Sequence, residues 1–344
     1  MNRILTFCLI AVLTSKPVEA TRYYYVAETG VGMSWNVDDE IGFYTTSGTR
    51  IKHWAVETNE TSTALFNGNG WSLAPNTEYY VYSPYSSYYF ENDIPMTALP
   101  ISLENQEQTD NNKLDHLAEV DYMMSSGKTL ETSGDFAFRH LGCVLRISYK
   151  SEKARTFNKL TLKSKSDVFT VNAVMNMKEQ QCHSTETTDC VSLNLSDVTV
   201  GEGETLVAYM MLFPINNAFD DIVCSLEAVD ETLDLATLSG SGLRAGKMYD
   251  ICLTPEETTH FVSSEIKETQ NMISTLEKPS CVVPMFERET KEPISVHLSE
   301  KNPSTKIDGI ASYAKESVYQ VNGIRAGEAY QKGILICNGK KVVR

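Results

Sequence analysis

The chain has 344 residues, enough for two domains of ordinary size, each with its own core. Thirty Lys and Arg stand against 45 Asp and Glu, a formal charge of −15, while residues 305–344 hold seven basic and three acidic residues. The body of the chain is therefore strongly acidic, which argues against nucleic acid as a partner, and the basic tail is a separate unit by charge.

The chain begins with the pattern of a secretory leader: Arg3, an apolar run over 4–13, and a small-x-small site at Val18-Glu19-Ala20. Cleavage is expected between Ala20 and Thr21, making 1–20 a signal peptide. The run is too short to span a bilayer, and no later stretch is apolar enough, so no transmembrane span is expected in the mature chain. Cys8 follows Phe7, where a lipidation signal carries a small residue, so cleavage at Ala20 is preferred over lipidation.

Residues 21–27 read as a first strand, and 40–44 and 51–56 as short ones. Turn signals at 68–70 and at Pro75-Asn76 surround Trp71. Residues 77–82 form a strong Tyr/Val strand that Pro84 stops. A Ser/Tyr/Pro loop follows over 84–99, and 101–103 is short and extended. Residues 104–134 are polar and take no assignment beyond weak helical spacing over 114–124. Residues 136–150 carry the apolar set Phe136, Phe138, Leu141, Cys143, Leu145 and Ile147. This reads as one long strand at the joint of the two halves, with a bulge at Arg139-His140 where the alternation flips.

Strands are then expected at 159–163, 168–177, 191–195, 205–213, 221–229, 233–238 and 247–253. Turn residues recur about every ten positions, the spacing of a sandwich, and no long helix alternates with them. Residues 255–304 read as a linker or poorly packed segment in which 281–286 and 294–298 admit short strands. Strands at 317–321, 333–337 and 341–343, with turns at Asn322-Gly323 and Asn338-Gly339, make the tail a small β module.

Chemistry is nearly absent. There is no His-Glu-x-x-His or Gly-x-Ser-x-Gly, and Gly127-Lys128-Thr129 lacks the upstream glycine of a phosphate loop. No catalytic, cofactor or metal site is expected, and the chain reads as a non-enzyme. Asp38-Asp39-Glu40 lacks calcium-loop spacing and reads as a solvated turn. Cys143 and Cys224 fall on apolar strand patterns. Cys182 and Cys190 flank a polar stretch that reads as a hairpin tip, leaving open a bridge between them or free thiols; zinc lacks enough ligands there. Trp71, Tyr85, Tyr88 and Tyr89 are the candidate adhesive aromatics. Exposed, they could stack on sugars or anchor a protein interface; buried, they are strand and core residues.

Six landmarks, in order over about 21–254, resemble the fimbrillin family of Bacteroidota. They are Trp35 through Phe43 (WNVDDEIGF); Phe66, Trp71 and 79–85 (YYVYSPY); and Gln106 to Asn112 with His116-Leu117 and Asp121-Tyr122-Met123. Then come 136–141 (FAFRHL), 208–214 (AYMMLFP) and 245–253 (AGKMYDICL). Asp38 stands where that family usually has Gly. The tail, VYQVNG followed by KGILICNGKKVV, is similar to C-terminal sorting modules associated with type IX secretion in the same group; a plain β hairpin unit is the other reading.

The resemblance implies two tandem transthyretin-like β-sandwich domains, 21–147 and 148–254, with the linker over 255–304 and the β module over 305–344. It implies an exported cell-surface, outer-membrane or fimbrial subunit that works by contacts with other fimbrial or surface proteins, or with protein or glycan ligands. A rival reading is a surface glycan-binding protein using Trp and Tyr of the first domain. In the family, a protease cutting after a basic residue frees the first strand for subunit exchange. Here no basic residue lies between Tyr23 and Thr49, so the chain is expected to keep its first strand and to be an accessory or terminal member.

Overall fold

The computed structural model describes residues 22–58, 62–68, 72–130, 133–253, 280–289 and 294–299, together with the backbone of three short strands between 318 and 343. The leader with Ala20 and Thr21, and Trp71, lie outside the described residues.

The elements are almost all strands. The first half holds β1 (Arg22–Val26), β2 (Gly30–Ser34), β3 (Glu40–Thr45), β4 (Arg50–Thr58), β5 (Thr63–Asn67) and β6 (Glu78–Ser83), then the one-turn helix α1 (Ser87–Glu91) and β7 (Leu99–Ser102). A second short helix, α2 (Leu117–Val120), precedes β8 (Met123–Lys128), β9 (Asp135–Ala137), β10 (Arg139–His140) and β11 (Cys143–Lys150). The second half holds β12 (Arg155–Lys163), β13 (Phe169–Asn176), β14 (Gln181–Thr188), β15 (Cys190–Val200), β16 (Thr205–Leu212), β17 (Phe219–Ala228), β18 (Thr232–Gly240) and β19 (Lys247–Cys252). Last come β20 (Ser280–Val282), β21 (Phe286–Arg288), β22 (Ser295–Leu298), β23 (Val318–Gln320), β24 (Ile334–Cys337) and β25 (Lys340–Val343).

An eight-stranded sheet runs β10-β8-β6-β3-β4-β5-β20-β9, and a six-stranded sheet runs β1-β2-β21-β19-β11-β16. A five-stranded sheet runs β15-β12-β17-β18-β22, and a three-stranded one runs β14-β13-β7. The two ends of the eight-stranded sheet, β9 and β10, are consecutive in the chain, with only Phe138 between them. The sheet therefore curls back on itself around its apolar face. The all-β fold class expected from the sequence is the one observed.

Two cores form. In β11, Val144 points into the first core while Cys143, Leu145 and Ile147 point into the second. In β16, Val207, Tyr209 and Met211 face the first, and Leu206, Ala208, Met210 and Leu212 the second. Period-two alternation with both faces apolar is what a strand shared by two layers requires. The expected boundary at 147/148 thus falls inside a strand that serves both cores.

The apolar run over 136–150 is three strands rather than one bulged strand. β9 and β10 belong to the eight-stranded sheet and β11 to the six-stranded one. The flip in alternation marks a change of sheet: Asp135 to His140 alternate exposed and buried, after which residues 140–145 are all buried.

Within the stretch expected to be a linker with short strands over 281–286 and 294–298, the described parts, 280–289 and 294–299, do carry short strands, and these are woven into both halves. β20 lies between β5 and β9, antiparallel to the first and parallel to the second. β21 lies between β2 and β19. β22 extends the five-stranded sheet beside β18. Cys281, Val283 and Phe286 are buried in the first core. Each such side chain removed from water stabilises the fold by roughly 1.5–3 kcal/mol for the larger ones.

A buried polar chain ties this segment down. The Tyr23 hydroxyl donates to Asp121 Oδ2 at 2.7 Å, and His140 Nδ1 lies 2.9 Å from the same carboxylate. His140 Nε2 meets the Pro284 carbonyl at 2.5 Å, and the ring stacks on Phe286 at 3.7 Å between centroids. Strand β1, the α2–β8 connection, β10 and the segment over 280–289 are thereby joined.

The polar stretch after residue 104, which carries no strand pattern, covers the free edge of β16 with side-chain amides. Gln106 donates to the Met211 carbonyl at 2.8 Å and accepts from the Met211 amide at 2.8 Å. Gln108 donates to the Val207 carbonyl at 2.9 Å and accepts from Tyr209 N at 2.9 Å. Asn111 does the same with Thr205 O and Val207 N. His116 Nε2 sits 2.8 Å from the Tyr209 carbonyl. Three amides thus do what a neighbouring strand would do, and they block further pairing at that edge.

The expected hairpin tip is also different. Residues 181–188 form the continuous strand β14 beside β13, with Cys182 opposite Met175. Eight residues of extended chain put Cys182 and Cys190 roughly 25 Å apart along the strand, beyond any bridge. Both thiols are free. In the tail, β23, β24 and β25 pair antiparallel as a small sheet; the Asn322-Gly323 and Asn338-Gly339 turns lie outside the described residues.

Candidate functional site: a tyrosine-lined cleft

Pro84, lacking an N–H, follows the end of β6, and the chain then makes a single turn as α1. Asn92 closes that turn, with its backbone and side-chain amides both donating to the Tyr88 carbonyl, at 3.1 and 3.0 Å. One turn of helix sends neighbouring tyrosines to different places. Tyr89 is buried, donates to the Pro100 carbonyl at 2.6 Å, and packs 5.4 Å from the Tyr82 ring. Tyr88 is 51% exposed. Tyr85 lies 5.4 Å from Phe90, and Lys52 Nζ sits 5.0 Å over its ring while pairing with Glu40 at 2.8 Å.

The opposite wall is shared by β7 of the first half and two strands of the second. β7 pairs with β13, Ser102 opposite Asn172 and Ile101 opposite Ala173, and β14 follows beyond. Together these walls enclose a cleft of about 510 Å³ lined by Tyr85, Tyr88, Tyr89, Tyr122, Asn172 and Thr185 among others, with Glu119 of α2 at its margin. The Tyr122 hydroxyl donates to the Ser102 carbonyl at 3.1 Å. The Asn172 amide donates to Glu186 Oε2 at 2.8 Å. Burial pushes the Tyr85, Tyr89 and Tyr122 phenols up from their ordinary value, so all three keep their protons at neutral pH.

Three of the four aromatics singled out from the sequence, Tyr85, Tyr88 and Tyr89, meet in this cleft. Tyr89 contributes a buried wall and Tyr88 an open ring. The reading missed Tyr122, Glu119, Asn172 and Thr185. The pairing of β7 with β13, some seventy residues apart, brings Asn172 and Thr185 there, and no local pattern announces it, while Tyr122 is tied to the end of β7 by its bond to Ser102.

The arrangement suits binding. The lining offers hydroxyls, an amide, one carboxylate and ring faces. The one set that looks like an acid–base relay, Tyr23–Asp121–His140, has no side-chain exposure at His140 or Asp121 and cannot meet a solute. Among the described residues no group of three or more His, Cys, Asp and Glu is placed to hold a metal. In the acidic turn, Asp39 Oδ2 accepts the Asn36 amide at 2.7 Å, and Asp38 takes φ 74°, the left-handed region where glycine is at ease and Asp is tolerated.

The landmarks recognised separately in the sequence interlock in space. Gly42 faces Tyr82 across β3 and β6, and a Cβ on Gly42 would fall 2.1 Å from the Tyr82 ring. Gln106, Gln108 and Asn111 hold β16. Asp121 holds His140. Trp35 packs edge-on against Phe66 at 5.1 Å and lies 5.9 Å from Phe138.

Among known proteins, no family model matches the chain. No curated protein matches it either. Among solved structures, a candidate cell adhesion protein from Bacteroides uniformis aligns over 69% of this chain and 93% of its own, at 14% identity and a TM-score of 0.44. One from Bacteroides ovatus aligns over 69% and 92%, at 16% identity and 0.43. The tip fimbrial protein Mfa3 of Porphyromonas gingivalis aligns over 64% and 92%, at 9% identity and 0.35. Scores of this size describe similar strand arrangements in outline and bear no further weight. Among the described residues, no helix is long and apolar enough to cross a membrane.

Proposed function

We propose that this chain is an exported fimbrial or adhesin-type surface subunit that acts through protein contacts. The observation that carries the reading is the pairwise interlocking of the family-like landmarks. Residues recognised as separate motifs serve one another: Gly42 with Tyr82, the amides of 106–111 with β16, and Asp121 with His140. Every one of these roles is architectural, as expected of a subunit whose business is shape and contact.

An accessory or terminal place is part of the proposal. β3 lies between β4 and β6, with Ile41 and Phe43 fully buried, so a cut at Arg50 would strip a central strand and its core side chains. Arg50 itself is ion-paired with Asp93 at 2.5 Å. Purified protein treated with an Arg-specific protease is expected to give no SDS-resistant ladder. Ladders with a new N-terminus at Ile51 would overturn the accessory assignment. The basic β module over 305–344 is proposed to direct export; surface display unchanged by its deletion would count against that.

The tyrosine cleft favours a second reading, a surface protein that binds glycans. An open ring beside hydroxyl, amide and carboxylate groups is a surface on which a sugar can both stack and hydrogen-bond.

A further inference from the structure

We propose that the cleft between α1 and β13–β14 takes an uncharged pyranose, with its apolar face against Tyr88, and rejects anionic saccharides. The proposal rests on the glycan-binding reading and deepens it.

Size comes first. About 510 Å³ is within the range of pockets that hold small ligands. The platform follows from the division of labour among the tyrosines. Tyr89 is buried with its hydroxyl committed to Pro100, and the Tyr122 hydroxyl is committed to Ser102. Tyr88 alone of the two on α1 leaves half its ring to solvent, inside a concavity, next to Tyr89 at 6.2 Å. A ring so placed offers an apolar face with a polar rim, which matches the C–H face and hydroxyl rim of a pyranose.

Charge decides the class of sugar. Among the described residues that line the cleft there is no Lys, Arg or His, whereas Glu119 is one of them. Lys52, over Tyr85, is already held by Glu40. Carboxylates accept hydrogen bonds and cannot donate them, so Glu119 suits a ligand rich in hydroxyl donors and opposes a carboxylated or sulfated one. Ser86 and Thr185 add hydroxyls that can donate or accept.

The test uses the full mature chain on a glycan array that carries neutral, sialylated and sulfated glycans, followed by calorimetry with the best neutral hit. Tyr88 and Glu119 are both exposed, so Tyr88→Ala and Glu119→Gln leave the fold intact. Tyr88→Ala is expected to weaken binding by about tenfold. Glu119→Gln should weaken it by about three- to tenfold and narrow the gap between neutral and anionic sugars. Hits confined to acidic glycans would overturn the neutral-sugar inference and leave the glycan reading standing. Neutral hits indifferent to both substitutions would overturn the site. A chain that binds no saccharide, including one that binds a proline-rich peptide through Tyr88 instead, would overturn the reading and the inference together.

Discussion

Residues 104–112 and residues 280–289 both lie along sheets, yet the first satisfies its neighbour with side chains and the second with its own backbone. Gln106, Gln108 and Asn111 reach over to β16 and end the sheet there. β20 and β21 enter the middle of two sheets and continue them. The difference is one of consequence. A side-chain seal closes an edge and can be lost locally, whereas a strand seated between two others holds both of them in place. The 280–289 segment is therefore the greater structural commitment, although in the chain it comes after β19.

The largest effect should follow from Phe286→Ala. Phe286 is 1% exposed in the first core, stacked on His140 and seated between β2 and β19. Its loss should cost about 3–5 kcal/mol in denaturant unfolding. A cost under about 1 kcal/mol would mean that the segment merely rests on the core. His140→Ala comes next. It strips a buried carboxylate of its ring partner and frees the Pro284 carbonyl, and should cost about 3 kcal/mol. If the polar chain pins the segment, hydrogen exchange in 280–289 should quicken in this variant more than exchange in β12 or β17.

The unequal visibility of these two regions in the sequence has a physical cause. Strands with one apolar face, such as β4, β13 and β17, declare themselves by alternation, and the all-β class follows from them. β20 and β21 are three residues each, too short for a period to show, and their burial depends on partners as distant in the chain as Gly30 and Leu65. The amide seal is invisible for another reason: a glutamine reads as polar whether it meets water or a strand edge. Only the two glutamines at 106 and 108, spaced so that an extended chain would put them on one side, hint at a ladder, and Asn111 does not share that spacing. The cleft was half legible. Tyr85, Tyr88 and Tyr89 are local to Pro84, but Asn172 and Thr185 arrive by long-range pairing. The β14 reading failed because Ser, Thr and His on an exposed edge strand look like a loop.

A middle-sized effect tests the side-chain arm of the comparison. Gln108→Leu keeps the volume and removes both bonds to β16 as well as the one to the Asp110 carbonyl, leaving Tyr209 N and the Val207 carbonyl without those partners; the expected cost is about 1–3 kcal/mol. Gln106→Leu should behave alike at Met211. Because the edge of β16 is then partly bare, the double variant should also self-associate more readily, as followed by light scattering at rising concentration. A double variant as stable and monodisperse as the parent would make the amide ladder incidental.

The smallest effect is the most pointed, because it separates burial from charge as the force that holds the strand segment. Glu287, on β21 beside Phe286, forms an ion pair with Lys247 and is 71% exposed in its side chain. Exposed pairs contribute little, since water screens them and both chains must be held still. Its backbone bond to Gly246 O at 3.1 Å survives any side-chain change. Glu287→Ala should therefore alter stability by no more than about 0.5 kcal/mol, with the same value in low and high salt. Arg288, one residue on, supplies the contrast. It is mostly buried, bonded to Asp250 Oδ2 and to the Ala27 carbonyl at 2.6 Å each, and bridges β21 to the turn after β1. Arg288→Ala should cost clearly more than Glu287→Ala. Equal and large losses at both positions, shrinking as salt is raised, would mean that surface charge fastens the segment and that the packing of Phe286 is secondary.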